Sequence, residues 1–240
     1  MPFLIVSDIH ANREALDAVV DDARGEYERI VCLGDLAGYG ADPNYVVEWA
    51  RVNVAAIVRG NHDKLCAGLE SFYSYRPQAR AAAEWTVNAL TLENRDYLER
   101  LPRGPLPYEG FDLVHGSPID EDEYLVSAAD VAANRDQIDA PLSFFGHTHL
   151  QGGFLIARQG VKPIDARRVL EIERDYRYLV NPGSAGQPRD GNPHAAYAIY
   201  RPEERIVEFR RVAYDVARAA EKIRAAGLPD SLATRLSSGV

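Results

Sequence analysis

The sequence predicts an α/β fold, on three observations. Short apolar runs rich in β-branched residues recur through the first 145 positions. Amphipathic helical patterns separate the early ones, an alternation that favours a largely parallel sheet. After Gly152 the texture changes to strand-like runs broken by Gly and Pro, which points to a second, more antiparallel sheet.

The elements follow in order. Phe3 to Val6, Ile30 to Leu33, Val54 to Val58, Phe111 to Val114 and Leu142 to Phe145 are continuous apolar runs, the pattern of strands covered on both faces. Asn12 to Ala23 carries Leu16, Val19 and Val20 on one helical face. Pro43 to Arg51 reads as a helix with Asp42 as its cap and Pro43 in its first turn. From Lys64 to Leu101 the pattern is mostly helical: Pro77 opens an Ala-rich helix to Leu90, and Thr91 caps another to Arg100. This block reads as a lid-like helical insertion. Later strands are expected at Phe154 to Ala157, Tyr178 to Val180, Ala196 to Tyr200 and Ile206 to Val212, then a helix at Val216 to Ala226. The segment 227–240 is rich in small polar residues and is expected to fray. With 240 residues, 46% of them hydrophobic, one compact domain over 1–240 is the expectation.

Composition narrows the function. A formal charge of −9 disfavours extended nucleic acid, whose binders usually present a basic face. The opening segment has no basic leader, its apolar run is too short for a signal peptide, and no later run approaches the roughly 20 residues that cross a bilayer. A cytoplasmic protein without a membrane partner is therefore expected. Cys32 and Cys66 form no C-x-x-C pair and read as buried thiols.

The chemistry lies just past the strands: Asp8-Ile9-His10, Gly34-Asp35, Gly60-Asn61-His62-Asp63, His115-Gly116 and Gly146-His147-Thr148-His149. In an open α/β sheet the carboxyl ends of the strands line one crevice, so residues distant in sequence converge there. A lone Asp or His in such a place is usually a cap or a satisfied polar group; five of the six histidines falling there is not explained that way. The glycines at 34, 60, 116 and 146 permit tight bends or close approach. A mixed imidazole, carboxylate and amide site suits Mn, Fe, Co, Ni or Zn better than Mg or Ca, and without Cys a closed zinc site is disfavoured.

Together, and in this order, the blocks resemble the calcineurin-like metallophosphoesterase superfamily, in particular its small bacterial and archaeal phosphodiesterase branch. Asn181-Pro182-Gly183-Ser184 is similar to a late loop of that branch. The resemblance implies a four-layer α-β-β-α sandwich of two mixed sheets and two divalent metal ions, manganese first. It puts Asp8, His10, Asp35 and His149 around one ion and Asp35, Asn61, His115 and His147 around the other, with Asp35 bridging. Two cations about 3.5–4 Å apart lower the pKa of a shared water, which then attacks phosphorus in line. His62 is the implied general acid; Asp63 either orients its ring or caps the helix that follows.

Other residues carry open alternatives. Asn12 reaches a phosphate oxygen or caps the next helix, and Arg189 clamps a substrate phosphate or is plain surface charge. His194 is read as a bystander. Tyr39, Tyr73 and Tyr75 pack under the helical block or stack on an aromatic leaving group. The segment Gly34 to Gly40 lacks the Arg and second Asp of the protein phosphatases, and Gly38 stands where purple acid phosphatases carry a metal-binding Tyr. The expected activity is hydrolysis of a small phosphodiester or nucleotide. The alternatives are a binding scaffold of the same fold, like the retromer subunit, a phosphomonoesterase, or a nuclease. Oligomeric state, including a homo-oligomer, stays open.

Overall fold

The computed structural model describes residues 1–166 and 169–240. The first strand shows how the layers arise. β1 (Phe3–Val6) is buried along its whole length, because Leu4 and Val6 face one apolar cluster and Phe3 and Ile5 face another. Successive side chains of a strand point to opposite faces, so an unbroken apolar run requires cover on both. That cover comes from helices on one side and a second sheet on the other.

The helical cover is α1 (Arg13–Asp22), α2 (Pro43–Asn53) and α3 (Asn61–Ala67), which follow β1, β2 (Arg29–Cys32) and β3 (Val54–Ile57). β1, β2 and β3 run parallel. After a short 3-10 turn at Phe72–Ser74, α4 (Pro77–Ala89) and α5 (Leu92–Glu99) complete the Lys64 to Leu101 block, with α5 packed on α3 and α2. Thr91 caps α5 through Asn94 N, as expected. Asp42 precedes α2 but makes no capping bond; its carboxylate instead accepts from Lys222 at 2.8 Å. A charge-assisted bond across the fold displaces the local cap.

The second sheet contains β4 (Leu106–Tyr108), β5 (Phe111–Leu113), β6 (Leu142–Phe144), β7 (Gly152–Ala157), β8 (Gly160–Ile164) and β10 (Arg177–Asn181), in the order β4-β5-β6-β10-β7-β8. The short helix α6 (Ala128–Ala133) packs outside it. The first sheet is completed by β9 (Leu170–Glu171), β11 (Ala195–Arg201) and β12 (Ile206–Val212), in the order β3-β2-β1-β11-β12-β9. Each sheet mixes parallel and antiparallel pairs. Between the sheets, Phe3, Phe111, Phe144 and Tyr200 meet at ring-centroid distances of 5.2–6.2 Å. The outer face of the second sheet is covered separately by Val114, Val131, Ile138 and Phe145. The result is four layers, helix, sheet, sheet, helix.

The C-terminal segment departs from the sequence expectation. After α7 (Val216–Ala225), residues Asp230–Ser238 form a further helix, α8. Leu232, Ala233 and Leu236 are buried against Ala219, Ile223 and, from α4, Ala82. Gly239 closes α8 in the left-handed region and its carbonyl accepts from Gly191 N. The small residues read as fraying are what lets α8 lie close to α7. Among the described residues, no helix is long and apolar enough to cross a membrane.

Candidate metal centre

All five motif blocks end at one edge of the sandwich. Asp8 and His10 follow β1, Asp35 follows β2, Asn61 to Asp63 open α3, His115 follows β5, and His147 and His149 follow β6. The turns are sharp. Asp8, His10, Asp35, His147 and His149 all have φ between 49° and 64°, a left-handed conformation that costs a non-glycine residue roughly 1–2 kcal/mol. The loops are knitted by backbone bonds: Asp8 N donates to Gly34 O, His10 N to Asp35 O and Ala11 N to Leu36 O, at 2.8–3.0 Å. Close approach is enforced at Gly60, where a Cβ would sit 2.1 Å from Asp35 Oδ1.

The resulting cluster is buried and dense in ligand atoms. Asp8, His10, Asp35 and His149 form one group, and Asp35, His115 and His147 a second, with ligand atoms within 4.8 Å of one another in each and Asp35 common to both. Asn61 joins the second, its Oδ1 3.2 Å from His115 Nε2. His10 Nε2 and His115 Nε2 each lie 3.5 Å from Asp35 Oδ2, and His149 Nε2 lies 3.3 Å from Asp8 Oδ1. All these side chains are buried.

The imidazoles are aimed by their other nitrogens. Nδ1 of His10, His115 and His149 meets the carbonyls of Ala37, Leu33 and Gln187 at 3.1, 2.7 and 2.5 Å. A proton fixed there leaves Nε2 as a lone pair directed into the cluster. His147 is reversed: its Nε2 meets Asp122 O at 3.1 Å, leaving Nδ1 for the centre. His10 Nε2 and His149 Nε2 are 3.0 Å apart, so two lone pairs face each other, an arrangement that a shared cation satisfies and no hydrogen bond between neutral rings does.

Electrostatics agree. Burial pushes His10 well down, His147 down to about 3 and His149 down, the last two aided by the charges of His115 and Arg189 respectively. Burial opposes ionisation of Asp8 and Asp35, yet His149 holds Asp8 low and His115, with His62, holds Asp35 well below the carboxylate range. His115 is the exception: burial is overcome by Asp35 and Asp8, which draw it up to about 10, so a proton competes with a cation for its Nε2 lone pair. Two ionised carboxylates in a buried site call for positive charge, which divalent ions supply. The donor set fits such ions.

Asp63 keeps the helix-capping role expected of it and adds a second one. It makes no bond to the His62 ring, but as the third residue of α3 it accepts from Gly60 N in a capping box. Its Oδ2 accepts from Asp35 N at 2.8 Å and Gly60 N at 3.1 Å, and its Oδ1 from Leu36 N at 2.8 Å and Ala37 N at 3.2 Å. Asp63 therefore clamps the loop that carries Asp35. Burial and the Asp35 charge raise it to about 7, against the N–H donors of Gly60 and Ala37.

His62 lines a cavity of about 800 Å³ above the cluster. Its Nδ1 is buried without a partner, against Gly38, where a Cβ would come within 2.7 Å. That leaves Nε2 as the nitrogen open to the cavity. Burial pushes His62 down to about 4, partly offset by Asp35. Tyr39 covers the rings of His62 and His10 at 4.3 and 4.7 Å, and Tyr75 also lines the cavity. Tyr73 instead is 87% exposed, so it packs under nothing.

The remaining expected residues separate. Asn12 is engaged as a cap, its Oδ1 accepting from Ala15 N at 3.1 Å and its Nδ2 donating to Gly186 O at 2.8 Å, so the phosphate role is not supported. Arg189 lies near the site, 5.8 Å over the Tyr39 ring. His194 is exposed and outside the cluster.

Sequence reasoning missed three supports. Asn181 Nδ2 holds Gly146 O and Thr148 Oγ1 at 2.9 and 3.0 Å. Ser184 Oγ donates to Asp8 O at 2.7 Å and accepts from Gln187 N at 2.8 Å. Gln187 in turn holds His149. The Asn-Pro-Gly-Ser loop was the available signal, but its partners lie up to 176 positions away.

Comparison with known proteins gives a consistent picture. Residues 1–205 match the model of the calcineurin-like phosphoesterase superfamily domain. An uncharacterized protein of Methanocaldococcus jannaschii is 35% identical, over 98% of this chain and 97% of its own length. The solved structure of a metallophosphoesterase from Sphaerobacter thermophilus is 42% identical, with a TM-score of 0.88 over 100% of this chain and 99% of that one. A hypothetical protein from Pyrococcus horikoshii shares the fold at 20% identity and a TM-score of 0.81, over 100% and 98%.

Proposed function

The chain belongs to the calcineurin-like phosphoesterase superfamily, a hydrolase family acting on phosphate esters, and we propose that it is a dinuclear, manganese-preferring phosphodiesterase of small substrates. The observation that carries this reading is the convergence of Asp8, His10, Asp35, Asn61, His115, His147 and His149 into two adjoining groups with Asp35 common to both, beneath a cavity that His62 lines.

Asp8, His10, Asp35 and His149 would hold one ion, and Asp35, Asn61, His115 and His147 the other. When bound, such ions neutralise charge on the phosphoryl oxygens and lower the pKa of water. The chain's residues do the rest. The carbonyls of Ala37, Leu33 and Gln187 fix the imidazole orientations before substrate arrives, so little reorganisation is required during reaction. Asp63 holds Asp35 in its left-handed turn. His62 delivers a proton from Nε2 to the leaving oxygen, and the negative charge of an approaching phosphate raises its proton affinity toward the working range. Tyr39 covers the ring and excludes water from that side.

The manganese-loaded protein is expected to hydrolyse bis(p-nitrophenyl) phosphate faster than p-nitrophenyl phosphate. No turnover of either with metal bound ends the enzymatic reading and favours a binding scaffold. His62→Ala should lower kcat about 10²–10⁴-fold while metal content is unchanged. An unaltered kcat would remove His62 from the reaction.

A further inference from the structure

The cavity has two unlike walls. On one, Glu70 and Asp122 share a single cation: Lys64 Nζ lies 3.0 Å from Glu70 Oε2 and also bonds Asp122. On the other stand Arg76 from the start of α4 and Arg235 from α8, with Arg189 beside them over Tyr39. Among the described residues, no aspartate or glutamate is within ion-pair distance of any of these three arginines, although the chain carries 36 acidic residues against 27 basic ones.

The pairing of Arg189 with Arg235 is built rather than incidental. Gln187 is buried, and its Oε1 accepts from Arg189 Nη2 at 3.0 Å and Arg235 Nη1 at 3.2 Å. One neutral amide oxygen thus holds two guanidinium groups together. Arg235 Nε also donates to a main-chain oxygen of Val240, the last residue of the sequence, whose carboxylate offsets part of the Arg235 charge. Arg189 Nε is buried with no partner. Burial together with the charges of Arg189 and Arg76 lowers the Arg235 pKa, so the cations repel one another where they stand. An anion placed between them would satisfy the free donor and relieve that repulsion.

The site adjoins the metal centre. The same Gln187 that pairs the arginines accepts His149 Nδ1 on its backbone oxygen. Tyr39 is common to both: Arg189 stands 5.8 Å from its ring centroid, and the same ring covers His62 and His10 at 4.3 and 4.7 Å, while Arg189 N bonds His149 O at 3.4 Å, so the arginine adjoins the cluster.

We propose that Arg235 and Arg189 form a second anion subsite beside the metal centre, and that the preferred substrate is a phosphate ester carrying a second phosphoryl group. The class of bond cleaved rests on the phosphodiesterase reading above; the binding of a second anion does not. Arg235 thereby gives the C-terminal helix a part in choosing substrate.

The test is equilibrium binding to the manganese-loaded protein, by calorimetry, of thymidine 5′-monophosphate and thymidine 3′,5′-bisphosphate, which differ only in the second phosphate. The bisphosphate is expected to bind at least about tenfold more tightly, the scale of one charge-assisted arginine contact. Arg235→Gln should bring that ratio below about threefold. A merely structural role for Arg235 would weaken both ligands together and leave the ratio standing. Should Arg235→Gln fail to fold, Arg235→Lys is read instead; it keeps the charge but loses the planar fork, and is expected to lose at least about threefold of the ratio. A ratio near one in the unaltered protein, or an unchanged ratio in the variants, overturns the proposal. If neither nitrophenyl ester is hydrolysed but the ratio behaves as expected, the subsite stands and the phosphodiesterase reading falls; turnover with a ratio near one gives the reverse.

Discussion

Asp63→Asn separates a clamp from a catalytic partner. The carboxylate receives four backbone N–H groups, two on each oxygen, from Asp35, Leu36, Ala37 and Gly60. An asparagine offers one oxygen and one NH2, so in either orientation two donors face another donor. The Asp63 side chain is fully buried, away from bulk water. Leaving a buried donor unsatisfied costs about 1–3 kcal/mol, so two cost about 2–6 kcal/mol. For a chain of this length each kcal/mol lowers Tm by roughly 2–4 °C, and the drop should lie between about 4 and 24 °C. Released from the clamp, Asp35 relaxes from its φ of 55°, and manganese affinity should fall about 10–100-fold, as for other residues that orient ligands. Thermal unfolding followed by circular dichroism measures the first quantity and calorimetric titration the second. A variant that melts within about 1 °C of the parent and binds manganese equally well refutes the clamp. If its turnover alone were changed, Asp63 would return to the role of partner to His62.

Two further substitutions probe the packing beneath the site. Gly60→Ala is compatible with the backbone, whose φ is −92°, but its methyl would meet Asp35 Oδ1 at 2.1 Å; manganese affinity should drop at least tenfold while the circular dichroism spectrum is preserved, and an unchanged titration would contradict the packing. Leu236→Ala removes a buried side chain between α8 and α7, with an expected cost of about 2–5 kcal/mol in denaturant unfolding; a change below about 0.5 kcal/mol would mean that α8 is not docked.

Much of the fold was legible because the central strands are covered on both faces. Phe3-Leu4-Ile5-Val6 has to be apolar throughout, and that requirement is visible without coordinates. The ligand blocks were legible for a related reason: each is a short, polar, chemically specific word placed immediately after such a run. What escaped notice depends on distant partners. Helix α8 has small and polar residues and becomes stable only by lying on α7 and α4, contacts that local periodicity does not encode. The strands β4, β8 and β9 are short or polar, and the second-sheet and first-sheet edges they form left no hydrophobic signature. Asp42 looked like a cap until Lys222, 180 positions later, took its carboxylate. Asp63 looked like a local partner of His62 or of the helix start, and one of its bonds is that local cap, whereas the other three run to a loop 26–28 positions earlier.

Neither sheet owns a complete ion site. Each of the two ligand groups combines side chains from the first sheet with at least one histidine from the second. Ions seated there would act as rivets across the seam of the sandwich, so that a small sliding of one half against the other alters the coordination distances of both at once. Alignment of the two sheets and the geometry of the ligand cluster are thereby tied to the same contacts.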